Sequence, residues 1–164
     1  MISQILAAVQ AIERRLTPPR TLMVDIGVVA GGAGYAAELL CNRGPVLRVK
    51  SVWFSRPSVQ VTLRLIVAEA ASTGGTLTNG IAVPMRGSRT LSTDNRVRLF
   101  TAAPTAGTAI GDIFEAVVPT DGNIEILFGE NGEEPLELSG SEALGINVSG
   151  AATIVGRITF QEIG

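Results

Sequence analysis

From residue 21 onward, apolar and polar side chains alternate along the chain with a period of two. Leu22, Val24, Ile26 and Val28 interleave with Met23, Asp25, Gly27 and Val29, which predicts a strand with one strongly apolar face. Further runs of this kind cover residues 46–54, 59–68, 81–85, 97–101, 110–118, 124–128, 136–138, 144–148 and 153–163. Turn-forming residues separate them: Arg56-Pro57-Ser58, Thr73-Gly74-Gly75, Asn79-Gly80, Asp94-Asn95, Asp121-Gly122-Asn123, Asn131-Gly132 and Ser149-Gly150. Residues 46–68 read as a hairpin of two long strands, with Val59, Val61, Leu63, Leu65 and Val67 on one face and Gln60, Thr62 and Arg64 on the other. About nine short strands with no helical pattern after residue 41 predict an all-β fold, an antiparallel two-sheet sandwich of jelly-roll type. A parallel α/β sheet is disfavoured, because no helix-length pattern separates the strands. Trp53, Phe54, Phe100, Phe114, Phe128 and Phe160 are expected to plug the core among aliphatic neighbours.

The first residues follow a different period. Ile2, Ile5, Val9, Ile12 and Leu16 are spaced 3, 4, 3 and 4, the a/d pattern of a short amphipathic helix. β-branched residues at both seam positions favour three strands over two, so a trimer is the first expectation; packing of the same face on its own domain is the alternative. Such a helix is about 22 Å long and needs a partner surface to be stable. Thr17-Pro18-Pro19-Arg20 ends it, since proline lacks the amide donor and disfavours helical geometry before it. The predicted organisation is therefore an N-terminal helix and Pro-Pro joint over residues 1–20, then one jelly-roll β domain over residues 21–164.

Composition narrows the chemistry. The 164 residues include no histidine and one cysteine, which removes a His general base, a His-containing metal site, an internal disulfide and a four-cysteine zinc site. Apolar residues are 46% and charged residues 17%, against about 25% charged in an average domain, which is little charge to cover a monomer. The net charge is -2, and nothing in the total favours nucleic acid or an anionic membrane. The distribution is uneven: residues 1–111 carry 12 basic and 5 acidic side chains, residues 112–164 carry 1 basic and 10 acidic. Of the 13 cations only Lys50 is lysine, and arginine is the cation preferred at bidentate and interfacial contacts. Two readings stand: pairing between interleaved strands of one chain, or a basic surface of one subunit meeting an acidic surface of the next. The opening Met1-Ile2-Ser3-Gln4 lacks a basic n-region and no window reaches a membrane-spanning length, so synthesis in the cytoplasm is expected.

Candidate sites are few. Residues 32–37 spell G-x-G-x-x-A, but a dinucleotide site needs a βαβ unit and an acid about 20 residues on, and residues 50–58 contain none. The acidic residues between Asp121 and Glu137 lack the regular spacing of a calcium loop. Cys41 has no histidine partner and reads as a small buried residue. Arg86, Arg89, Arg96 and Arg98 form the one dense basic cluster; without interleaved aromatics it suits inter-subunit charge contacts better than nucleic acid. No cofactor, metal or catalytic residue is expected.

Residues 134–150, EPLELSGSEALGINVSG, and the closing VGRITFQEI of residues 155–163 resemble the final strands of small jelly-roll virion proteins of tailed bacteriophages, the capsid decoration, cement and head-fibre type. The resemblance spans about 30 residues and carries over no binding residue. It implies a non-enzymatic capsid decoration or cement protein on the virion head, docking on the major capsid protein as a homo-oligomer, with no nucleic-acid or membrane partner. Ile2, Ile5, Val9, Ile12 and Leu16 would serve oligomerisation or anchoring. The other expectation is a receptor- or glycan-binding tip of a head or tail fibre.

Overall fold

The computed structural model describes residues 20–31, 34–42, 45–55, 57–75, 77–79, 82–84, 97–100, 102, 104–129, 134–149 and 152–163. The strands are β1 (Arg20–Gly31), β2 (Gly34–Leu40), β3 (Val46–Ser55), β4 (Val61–Ala68), β5 (Leu77–Asn79), β6 (Ala82–Pro84), β7 (Val97–Phe100), β8 (Ala109–Val118), β9 (Asn123–Leu127), β10 (Leu136–Leu138), β11 (Ala143–Val148) and β12 (Ala152–Ile163). They form two antiparallel sheets. In the first, β3, β12, β1 and β6 lie in that order, and β10 and β9 share the outer edge of β3. In the second the order is β5, β7, β2, β11, β4, β8. Among the described residues there is no helix; the expected N-terminal helix with Ile2, Ile5, Val9, Ile12 and Leu16 lies outside them, and Arg20 already opens β1.

Alternation explains which side chains meet. On the inner face of the first sheet, Phe160 sits in register with Leu22 on one side and Val49 on the other. On the second, Leu144 sits between Leu39 and Val67, and Ile146 between Ala37 and Leu65. These inner faces pack on each other as one buried cluster containing Leu22, Val49, Phe160, Leu39, Leu65 and Ile146. Burial of each large apolar side chain contributes about 1.5–3 kcal/mol, which holds the two sheets face to face.

Three sequence expectations change. The two strands of the expected 46–68 hairpin lie in different sheets, β3 in the first and β4 in the second. Both edges of β3 are taken by β12 and by β9 with β10, so β4 pairs instead with β11 and β8. The connection crosses between the sheets past Pro57 and is fixed where the Ser58 amide donates to the Thr153 carbonyl at 3.1 Å and the Thr153 amide donates to Ser58 Oγ at 3.0 Å. Secondly, Trp53 is not a core plug. It is partly exposed on the outer face of the first sheet, because an extra residue at Lys50 shifts the parity of β3 so that Val49 and Val52 both face inward. Phe54 and Phe160 are buried in the core as expected, and Phe114 and Phe128 pack against its margin. Thirdly, β2 is a strand that alternation did not announce, since every residue from Tyr35 to Leu40 is buried.

Between β4 and β8 the chain crosses to the other edge of the sandwich, where β5, β6 and β7 lie, and returns. Residues 69–75 lead toward β5, and residues 102 and 104–108 lead back from β7. The two passes are tied by the Glu69 amide on the Thr108 carbonyl at 2.9 Å and by reciprocal amide–carbonyl bonds between Thr73 and Thr105 at 2.9 and 2.8 Å. Gly107 allows the close approach: a Cβ there would lie 2.3 Å from the Ala70 carbonyl oxygen.

Candidate functional site

The register of the second sheet places Glu38 between Gly145 of β11 and Arg98 of β7, on the face turned away from the core. That face is covered here by the strap of residues 69–75. Glu38 is fully buried and Ser72 nearly so. Four donors converge on the carboxylate. The Ser72 amide donates to Oε1 at 2.9 Å, and Ser72 Oγ donates to Oε2 at 2.9 Å. Arg98 donates to Oε2 through Nε at 3.1 Å and also through Nη2. Arg98 Nη2 further reaches the Ser72 carbonyl at 2.8 Å and Ser72 Oγ at 3.0 Å, and the guanidinium lies over the Phe100 ring, 5.4 Å from its centroid. The buried carboxylate is thus met by one cation and by two donors of Ser72. These contacts all come from within the chain, and they pin the strap to the sheet.

Beside it lies the chain's one tyrosine. The Tyr35 ring rests on Gly145, where a Cβ would come within 2.5 Å of Cζ; only glycine leaves room for it. Burial, followed by the neighbouring charges of Glu38 and Asp112, pushes the phenol pKa above its ordinary value. Above about pH 10 the unfolded chain releases this proton while the folded chain holds it, so stability is full below that pH and falls as pH rises through the folded pKa. Tyrosinate absorbance should therefore lag behind that of free tyrosine and appear mainly as the protein unfolds, and Tyr35→Phe should flatten the alkaline loss of stability. Titration of the folded protein at the ordinary tyrosine value would contradict this geometry.

Of the expected site residues, Ile2, Ile5, Val9, Ile12, Leu16, Arg86, Arg89 and Arg96 lie outside the described residues. Arg98 is described, and its charge is engaged within the chain by Glu38. Glu38 and Arg98 both lie in the basic part of the chain; two other pairs join that part to the acidic one, Arg48 with Glu137 at 2.6 Å and Arg64 with Glu115 at 2.8 Å. Both are cross-strand neighbours on outer faces and half-exposed, worth at most about 1 kcal/mol each. The G-x-G-x-x-A run enters strand β2 at Gly34, not the helix start that a pyrophosphate needs. Cys41 is buried, its Sγ 3.4 Å from the Pro45 carbonyl.

No group of three or more Asp, Glu or Cys side chains among the described residues is arranged to hold a metal ion. A small crevice at one end of the sandwich is lined by Phe54, Ser55, Pro57, Val61, Leu63, Val118 and Val148, and its exposed surface is apolar. Among the described residues, four of the five exposed large apolar side chains lie on β8 and β9: Ile110, Ile113 and Val117 are 55%, 40% and 60% exposed and Leu127 is 46% exposed, while Val59 lies between β3 and β4. Glu38 escaped sequence reasoning; its only signal was a lone acid inside the apolar run 35–41. No family model, curated protein or solved structure matches this chain.

Proposed function

We propose that this chain is a non-enzymatic virion structural protein of a tailed bacteriophage, a jelly-roll capsid decoration or cement protein that docks as a trimer on the major capsid protein of the assembled head. The observation that carries this reading is the place of the resembling residues. Residues 134–163 fall on β10, β11 and β12, and the last two of these strands pair with the first two, β11 with β2 and β12 with β1. With β5 to β7 taken as an insertion, the orders β1-β12-β3-β9/β10 and β2-β11-β4-β8 support a jelly-roll reading of the sandwich. The expected N-terminal seam supplies the trimer. Binding across neighbouring shell subunits only in their assembled state stabilises that state by mass action.

Partly exposed Trp53, with Glu125 and Arg157 as its register neighbours, favours a second reading, a glycan-binding tip of a head or tail fibre, since an amphipathic aromatic beside charged groups suits a sugar ring. Copy number separates the two. Quantitative gels of purified particles should show hundreds of copies of the chain per head; tens or fewer would favour the fibre tip, and absence from particles would overturn both.

A further inference from the structure

Each sheet has two edges, and the strand order places β6 and β9 with β10 at those of the first, β5 and β8 at those of the second. An edge strand presents unpaired main-chain groups to any extended chain, and short length, proline and bulges are what blunt it. β5, β6 and β10 have 3 residues each, and β6 ends on Pro84. β8 is longer, but its pairing with β4 is broken between Leu65 and Ile66 and again between Val67 and Ala68. β9 has none of these features. Its 5 residues, Asn123 to Leu127, pair with Ser51 to Ser55 without a shift in register, and among the described residues no strand lies on its other side.

The ladder fixes which groups of β9 are left over. The Phe128 amide donates to the Lys50 carbonyl at 3.0 Å, and bonded and non-bonded pairs alternate along an antiparallel ladder. Ile126 and Ile124 are therefore the residues bonded to β3, while the amides and carbonyls of Glu125 and Leu127 point to the open side. A guest strand taking those bonds places its own side chains alternately. Those beside Ile124 and Ile126 meet the margin of the core, where both are partly buried together with Phe114 of β8 at the same edge; apolar residues fit there. Those beside Glu125 and Leu127 stand on the outer face, where both side chains are exposed.

Charge selects among guests. Residues 109–138, which supply β8, β9 and β10, include eight acids and no lysine or arginine. Arg64 and Arg48 pair with Glu115 and Glu137, but exposed Asp112 and Glu125 are in no ion pair among the described residues. A second copy of this edge, or any acidic strand, would set like charges side by side. A cation opposite Glu125 makes a favourable cross-strand pair.

We infer that the open side of β9 is a docking edge for an extended segment of another protein in which apolar residues alternate with lysine or arginine. The segment joins the first sheet as a further strand, held by main-chain hydrogen bonds and selected by its side chains. This goes beyond docking on a shell, since it names a surface and the chemistry of what the surface takes.

Labelled peptides of about six residues, the length of an average strand, test this by fluorescence anisotropy with the full chain. A peptide alternating valine with lysine should bind saturably, at least about tenfold more tightly than one alternating valine with glutamate. Leu127→Pro should abolish the binding with an unchanged circular dichroism spectrum, because it removes an amide on the open side and leaves the bonds to β3 in place. Glu125→Lys should reverse the preference between the two peptides. On wild type, the Glu125 and Leu127 amides should exchange hydrogen more slowly once the lysine peptide is added, a readout that needs no variant to fold. No saturable binding below about 1 mM, equal affinity for the two peptides, or unslowed exchange at these amides overturns the inference. Binding that survives in folded Leu127→Pro also overturns it, because the peptide then sits elsewhere on the acidic surface. Self-association of the wild type that Leu127→Pro removes does the same, because the occupant is then a second copy. Copy number on particles is measured independently, so loss of this edge would leave the proposed function standing.

Discussion

Arg98→Ala is expected to destabilise the protein by about 3–5 kcal/mol, because it strands the fully buried Glu38 carboxylate without its cation. For a domain of this size that corresponds to roughly 6–20 °C in Tm. The loss should be read locally as well as globally. Ser72 holds both carboxylate oxygens through its amide and hydroxyl, so its amide should exchange hydrogen faster in the variant as the strap of residues 69–75 loosens. The double variant Glu38→Met/Arg98→Met should recover part of the deficit, since removing both charges avoids the uncompensated ion. A residual cost should remain, because the nearly buried Ser72 amide then lacks its acceptor. An Arg98→Ala variant within about 1 kcal/mol of wild type would mean that the ion pair is hydrated and exposed, contrary to this structure.

Phe160→Ala is expected to cost about 3–5 kcal/mol in urea unfolding, the range for emptying an aromatic site in a packed core. The ring is fully buried and lies in register between Leu22 and Val49 at the middle of the first sheet. Trp53→Ala is the informative companion. Although tryptophan is the larger side chain, it lies partly exposed on the outer face, and its removal should cost under about 2 kcal/mol. The order of the two losses decides which face of β3 looks inward. A larger loss at Trp53 than at Phe160 would reverse the parity assigned to that strand.

Strands whose side chains alternate between apolar and polar could be read directly from the chain. The alternation in residues 22–29, 136–138, 144–148 and 153–163 falls on β1, β10, β11 and β12. β2 could not, because residues Tyr35 to Leu40 are buried on both faces and built from Ala, Glu and Leu, whose local preference is helical; tertiary pairing with β7 and β11 overrides it. Partnership was equally hidden. Local alternation in residues 46–68 is satisfied whether two successive strands lie side by side or face each other across a core, and the choice is made by β12 and β11, which lie far along the sequence. The parity of Trp53 depended on one extra residue at Lys50, which has no local signature. For the same reason the Glu38–Arg98–Ser72 group was invisible: its members are separated by 34 and 60 residues from Glu38, and no spacing rule spans such distances. Arginine preference and the charge imbalance were legible as composition, but that the acid-rich residues 109–138 supply the strands β8, β9 and β10 of one edge needed the strand order.

The most direct measurement is the binding of the purified protein to assembled head shells and to unassembled major capsid protein in parallel, with the melting of the shells followed with and without it. The account predicts saturable binding to shells, much weaker binding to free subunits, and a shell melting temperature that rises with added protein. Equal affinity for both forms, or unchanged melting at saturation, would contradict it.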